Sequence, residues 1–355
     1  MLAKRYGNPQ NWNDTYRAGS LGRWKTFYEV RTAFDFLLIL ALLGILTAAI
    51  LFRKRGLQRP AILFKPFIAS IILYMISHLL SAIVNCIYLT DATVKMAFQL
   101  ALILQEFTYL LALCMILYLF YRLTFLFQER STGRVSDGLM LFHGVIFGLM
   151  IPICVAEFAT YVLNTVKDYD VNPRERLASH WIQVIRPLYT WLASLEIMIW
   201  GICLMVRTSR IDRKAKPSAS SFLLGSIGFF AMNLMWAIIT IQWDIVAYLG
   251  YGGTIFPRWI HYIEVIFPFF CIVITYIGIL MCCTRLAGLD DLNIFPTDGP
   301  STYPMMTYQN PYSNSPDMES RPMITEYDPA RGLWEAGSRP IHEADAVHSL
   351  RAWKP

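Results

Sequence analysis

Met96–Arg122, MAFQLALILQEFTYLLALCMILYLFYR, is an apolar run of helix length with one carboxylate inside it, Glu106, beside Gln105 and three residues before Tyr109. At 1.5 Å per residue, about 20 residues cross the hydrocarbon core of a bilayer. A carboxylate near the bilayer centre costs on the order of 3 kcal/mol even on lenient insertion scales. Glu106 is therefore expected to face other protein or a water-filled cavity, which further spans must enclose.

Composition agrees with this reading. The 355 residues are 55% hydrophobic, 14% aromatic and only 16% charged, and the mean hydropathy is +0.42. Soluble domains hold roughly 25% charged residues, so the chain reads as a multi-pass integral membrane protein. The net charge of +6 is uneven: 10 acidic and 5 basic residues follow Leu286, against 15 acidic and 26 basic before it. A basic membrane body suits contact with anionic lipid headgroups and does not call for nucleic acid. All seven cysteines fall within or at the ends of apolar runs, where neither a disulfide nor a zinc site is expected.

Seven apolar runs follow one another, at about 33–52, 67–89, 97–121, 139–163, 187–206, 221–243 and 259–283. The expected fold is an all-α, seven-transmembrane helix bundle spanning 32–285, with an extracellular tail at 1–31 and a disordered cytoplasmic tail at 286–355. Nine prolines and no apolar periodicity mark that last stretch. Loops 53–65, 122–138 and 206–220 hold thirteen Lys or Arg, whereas 89–98, 164–186 and 244–258 hold six. The positive-inside rule then puts the N-terminus outside, in the plasma membrane or a secretory-pathway membrane. The sequon Asn13-Asp14-Thr15 makes Asn13 a glycosylation candidate on that side. The basic residues of the N-terminal tail pull the other way. Asn172-Pro173 resembles the start of a short helix in the 164–186 connection, one that would lie over the bundle as a lid or serve as a plain connector. Cys282 and Cys283, before Arg285, are palmitoylation candidates.

Polar residues recur along single helical faces. Span two carries Ser70, Tyr74, Ser77, Ser81 and Asn85, with His78 adjacent, at steps of 4, 3, 4 and 4. Span five carries Tyr189, Glu196, Trp200 and Cys203; span six Ser226, Asn233 and Thr240; span seven His261, Glu264, Pro268 and Thr275. Lipid offers such groups no partners, so the stripes are expected to converge on a common interior, as a cavity or as interhelical hydrogen bonds.

Five carboxylates, Asp35, Glu106, Glu157, Glu196 and Glu264, lie in five different spans, and no Lys or Arg falls within the mid-membrane stretches to neutralise them. They must be protonated, hydrated, paired with His78 or His261, or turned toward a ligand that donates hydrogen bonds or carries positive charge. Asp35 and Glu264 stand near the interface, where hydration suffices. Glu106 and Glu196 are expected to line one outer-half cavity. The candidate ligand-binding set is Glu106, Glu196, His78, Asn85, Glu157, Glu264 and Asn233. No two of the span histidines share a helix at i, i+4 spacing, so no metal site and no cofactor is expected.

Seven spans, an outside N-terminus, Phe120-Tyr121-Arg122 at the inner end of span three and a long cytoplasmic tail make the chain resemble G protein-coupled receptors in plan. In texture it is similar to the orphan seven-span integral membrane proteins of fungi. The resemblance implies a receptor-like protein that senses a small molecule and meets a cytoplasmic signalling partner. The chain lacks the Asp-Arg-Tyr triplet and the Asn-Pro-x-x-Tyr of the rhodopsin-like family, offering Phe267-Pro268-Phe269-Phe270 instead. Span seven has no lysine for a retinal Schiff base. Two other classes stay open. One is a membrane enzyme using a buried acid on a lipophilic substrate, as small seven-span terpene cyclases do. The other is a proton-coupled transporter, for which neither an internal repeat nor paired broken helices are visible.

Overall fold

The computed structural model describes residues 15–17, 24–54, 61–90, 92–95, 98–132, 137–167, 173–211, 215–245 and 257–294. The chain divides at Asp298, and the bundle belongs to the first unit. The second unit, Gly299–Pro355, lies outside the described residues, as do Asn13 and the tail from 295 onward.

Seven long helices are present: α1 Lys25–Lys54, α2 Ala61–Leu89, α3 Gln99–Thr132, α4 Asp137–Lys167, α5 Pro173–Ile211, α6 Lys216–Ile239 and α7 Arg258–Ile294. All seven are long and apolar enough to span a membrane. The helices pack as a ring in chain order, α7 closing against α1, and α3 reaches across to α5. Within its apolar window α3 is 61% buried and α4 only 17%, so α3 is the central helix and α4 the most lipid-exposed. Along α1, Phe36, Leu37, Leu40 and Leu43 face outward while Leu38, Leu42 and Ile45 are buried, as a lipid-facing helix requires.

Several helix ends lie beyond the apolar runs, α1 starting at Lys25 and α3 ending at Thr132 among them, and two of the differences stand out. Residues 173–186 are the first turns of α5, continuous with span five, so neither a separate lid helix nor a loop exists there. Buried Ser179, Val184, Pro187, Thr190 and Ser194 run unbroken through the supposed boundary at 187. The other change is at α7, which continues past 283 to Ile294.

A two-stranded antiparallel ribbon joins the N-terminal segment to the α2–α3 connection. β1 (Thr15–Arg17) pairs with β2 (Thr93–Lys95) in the register Thr15 with Lys95, Tyr16 with Val94 and Arg17 with Thr93. Trp24, just before α1, and Phe27 in its first turn lean on the His261 ring of α7 at 4.9 and 5.5 Å.

At the glycines, α6 and α7 approach each other closely. A Cβ added to Gly278 would overlap the Gly225 backbone, and one on Gly228 would stand 2.8 Å from the Cys271 carbonyl oxygen. Small residues at such crossings let helices gain dispersion contact where no hydrophobic drive exists between them. We predict that Gly278→Ala loses about 1–3 kcal/mol by overpacking. Gly44, with nothing within 4 Å of its position, tolerates the same change or gains up to about 1 kcal/mol. Thermal unfolding of the detergent-purified variants checks the contrast.

Cys282 and Cys283 are buried, at 0% and 1% exposure. Burial of both thiols does not favour the expected acylation, which requires a thiol that a lipid donor can reach.

Candidate functional site

The polar stripe of α2 is buried along its whole length, with Ser70, Tyr74, Ser77, Ser81 and Asn85 each at 4% exposure or less. Its groups reach across to neighbouring helices. Ser70 shares a 2.7 Å hydrogen bond with Tyr276 of α7, and Ser77 donates to the Gln105 carbonyl of α3 at 3.1 Å.

Asp35 of α1 is the centre of this network. Its Oδ1 accepts from His78 Nδ1 at 2.7 Å, and its Oδ2 from Ser81 Oγ at 2.9 Å and Asn85 Nδ2 at 3.2 Å. Hydration at an interface is therefore not what satisfies Asp35; three donors from one face of α2 do. Because a carboxylate can only accept, His78 must carry its proton on Nδ1, which leaves Nε2 as the ring's remaining acceptor in the neutral form.

The other carboxylates find partners too, and one of those partners is a cation that the sequence reading assigned to a loop. Arg186 of α5 holds Glu157 of α4 through Nε at 2.5 Å, and its guanidinium lies over the Tyr109 ring of α3, 5.7 Å from the centroid. The guanidinium stands nine residues inside the apolar span that starts at Leu177, roughly 14 Å along the axis. Glu264 of α7 accepts from His261 Nδ1 one turn earlier, at 3.1 Å. Glu196 of α5 accepts from His143 Nε2 of α4 at 2.8 Å, with the His143 ring stacked on Tyr121, centroids 4.5 Å apart. Buried at 1% exposure, His143 is satisfied on that side only; its Nδ1 and the second Glu196 oxygen make no hydrogen bond to the described residues.

Glu106 is the exception. Half-buried on α3, it makes no hydrogen bond to a described residue and interacts with Arg186 and Glu157 only through space. The carboxylate lines a partly open cavity of about 290 Å³ walled by residues of α1, α2, α3, α5, α6 and α7. Arg31, Asp35, His78, Gln105, Glu106, Arg186 and Glu264 supply its polar wall; Phe34, Tyr74, Tyr109, Trp236 and Phe269 supply aromatic faces. The cavity occupies the half of the bundle where α1 begins. Pro268 also lines it and, lacking an N–H, leaves the Glu264 carbonyl without its helical donor.

No family model, curated protein or solved structure matches this chain. The residues themselves carry the functional reading.

Of the sequence candidates, the fold brings Glu106, His78 and Glu264 to the cavity wall. Asn85 and Glu157 stand one layer behind, orienting Asp35 and Arg186. Glu196 is not among the lining residues and pairs with His143 instead, so the expectation that it shares a chamber with Glu106 is corrected. Asn233 spends its Nδ2 on the Phe229 carbonyl of its own helix. The stripe drawn on span five is displaced as well. Cys203 is exposed, while the buried face runs through Thr190, Ser194, Ile197, Gly201, Leu204 and Thr208. Among the described residues no three His, Cys, Asp or Glu side chains stand together as a metal cage.

The two carboxylates should respond differently to removal. Asp35→Ala strands His78, Ser81 and Asn85 and is expected to cost about 1–3 kcal/mol. Glu106→Gln, which breaks no hydrogen bond, is expected to leave the melting temperature unchanged or raised. Thermal unfolding in detergent reads both.

Proposed function

We propose that this chain is a receptor-like membrane protein that senses a small charged ligand in the cavity beneath the start of α1. The observation that carries the reading is Glu106: a carboxylate without a hydrogen-bond partner among the described residues, on the wall of a cavity whose other acids are already paired. A fixed, partly desolvated charge is expensive unless something arrives to meet it. The size fits as well, because cavities of about 300 Å³ sit at the lower end of small-molecule sites.

The orientation belongs to the same proposal. The charge bias of the loops places the N-terminus, and with it the cavity, outside, and sets the basic 206–220 connection against the cytoplasm. A ligand would then enter from outside while a signalling partner meets the opposite face.

Acid catalysis on a lipophilic substrate suits this site less well, since acids, guanidiniums and an imidazole make up much of its wall. A proton-coupled carrier needs access to its site from both sides of the membrane in turn, and the sequence shows neither the internal repeat nor the paired broken helices of such carriers.

Two outcomes follow from this reading. Asn13→Gln is expected to increase gel mobility in the way glycosidase treatment of the wild type does; a wild type that glycosidase leaves unchanged removes that support for an outside N-terminus. Heterotrimeric G protein is expected to co-purify with the solubilised chain from its native membranes and to dissociate when a GTP analogue is added. Retention regardless of nucleotide counts against coupling.

A further inference from the structure

The charges around the cavity can be sorted by whether the protein already satisfies them. Asp35 is held by three donors, Glu264 by His261, and Arg186 by Glu157. Two groups remain. Glu106 on α3 and Arg31 on α1 line the same cavity, and neither makes an ion pair or a hydrogen bond with any described residue.

Opposite charges that share a small cavity without touching set a specific demand on what fills it. A simple amine would pair with Glu106 and leave Arg31 unmet, beside an added positive charge. A simple carboxylate would do the reverse. A ligand that carries both charges satisfies both walls and adds no net charge to a low-dielectric site, which spares the largest desolvation cost. We propose that the cavity binds a small zwitterion of amino-acid chemistry, its anionic group on the Arg31 guanidinium and its ammonium at the Glu106 carboxylate. Guanidinium suits the first role because it meets a carboxylate with two parallel donors. The side chain of the ligand would lie among Phe34, Trp236 and Phe269, which favours apolar or aromatic amino acids over charged ones.

This inference rests on the cavity being a ligand site, and the experiment separates the two. The detergent-purified full chain is melted in the presence of the standard L-amino acids, the amines left by their decarboxylation, and their N-acetyl derivatives. A ligand that binds the folded state raises the melting temperature in proportion to occupancy. At least one amino acid is expected to stabilise the protein, with its amine and its N-acetyl form weaker by roughly tenfold to a hundredfold, the worth of a charge-assisted hydrogen bond. Arg31→Gln should abolish the preference over the amine, and Glu106→Gln the preference over the N-acetyl acid. Arg31→Lys, which keeps the charge, should retain most of the preference and shows that the loss is not misfolding.

An amine that stabilises as well as its parent, unaffected by Arg31→Gln, overturns the zwitterion and leaves a cationic ligand in the cavity. Silence across all three series from protein that is monodisperse also overturns it; the G protein experiment then decides the receptor reading alone.

Discussion

An ion pair inside an apolar bundle constrains everything around it. Arg186 and Glu157 tie α5 to α4 in the half of the bundle that holds the cavity. Either charge alone would have to reach water or lose its charge. Together, with Tyr109 under the guanidinium, they form a unit that the rest of the cavity is built against. The same rule accounts for three of the helix histidines, each set against one carboxylate: His78 with Asp35, His143 with Glu196 and His261 with Glu264. Helix α4, exposed to lipid over most of its surface, holds α5 through polar contacts at His143, Ile146, Glu157 and Asn164. Among the described charged residues that line the cavity, those left without an ion pair or hydrogen bond are Arg31 and Glu106, and that makes them informative.

Holding the helices together is a separate matter from charging them. Most serine and threonine hydroxyls bond the carbonyl three or four residues back in their own helix, as Thr190, Ser194, Thr208, Ser226 and Thr275 do. Their value at the interfaces is small size. Gly201 packs so close to α6 that a Cβ there would meet Ser226 Oγ at 2.9 Å, and Gly225, Gly228 and Gly278 bring α6 against α7. Tight packing on that side and charged pairing on the other leave the cavity between them.

The seven spans could be read from the sequence because length and hydropathy are one-dimensional properties, and the α2 stripe because its groups repeat at helical steps on one face. Arg186 could not be read that way. Its charge, with Arg174, Glu175, Arg176 and His180 before it, lowers local hydropathy enough that an apolar window ends at the residue it should contain. A hydropathy scale assigns the cost of a charge and has no means of seeing Glu157 one helix away. Two signals pointed to it: Glu157 lay in a span with no counter-charge, and small or apolar residues at 179, 184, 187, 190 and 194 kept helical spacing across the boundary. The face of α5 was misjudged for a related reason. Glu196 and Trp200 are conspicuous, but the residues that pack are the inconspicuous Ser194, Ile197 and Gly201.

The measurement that tests the account most directly is a double-mutant cycle on Arg186 and Glu157, read as unfolding free energy in detergent. Arg186→Gln and Glu157→Gln should each cost about 3–5 kcal/mol by leaving one charge uncompensated. The double variant should cost clearly less than their sum, with a coupling of about 1–3 kcal/mol. Additive losses, or an Arg186→Gln protein as stable as the wild type, would contradict the claim that this pair neutralises the bundle and leaves Glu106 for a ligand.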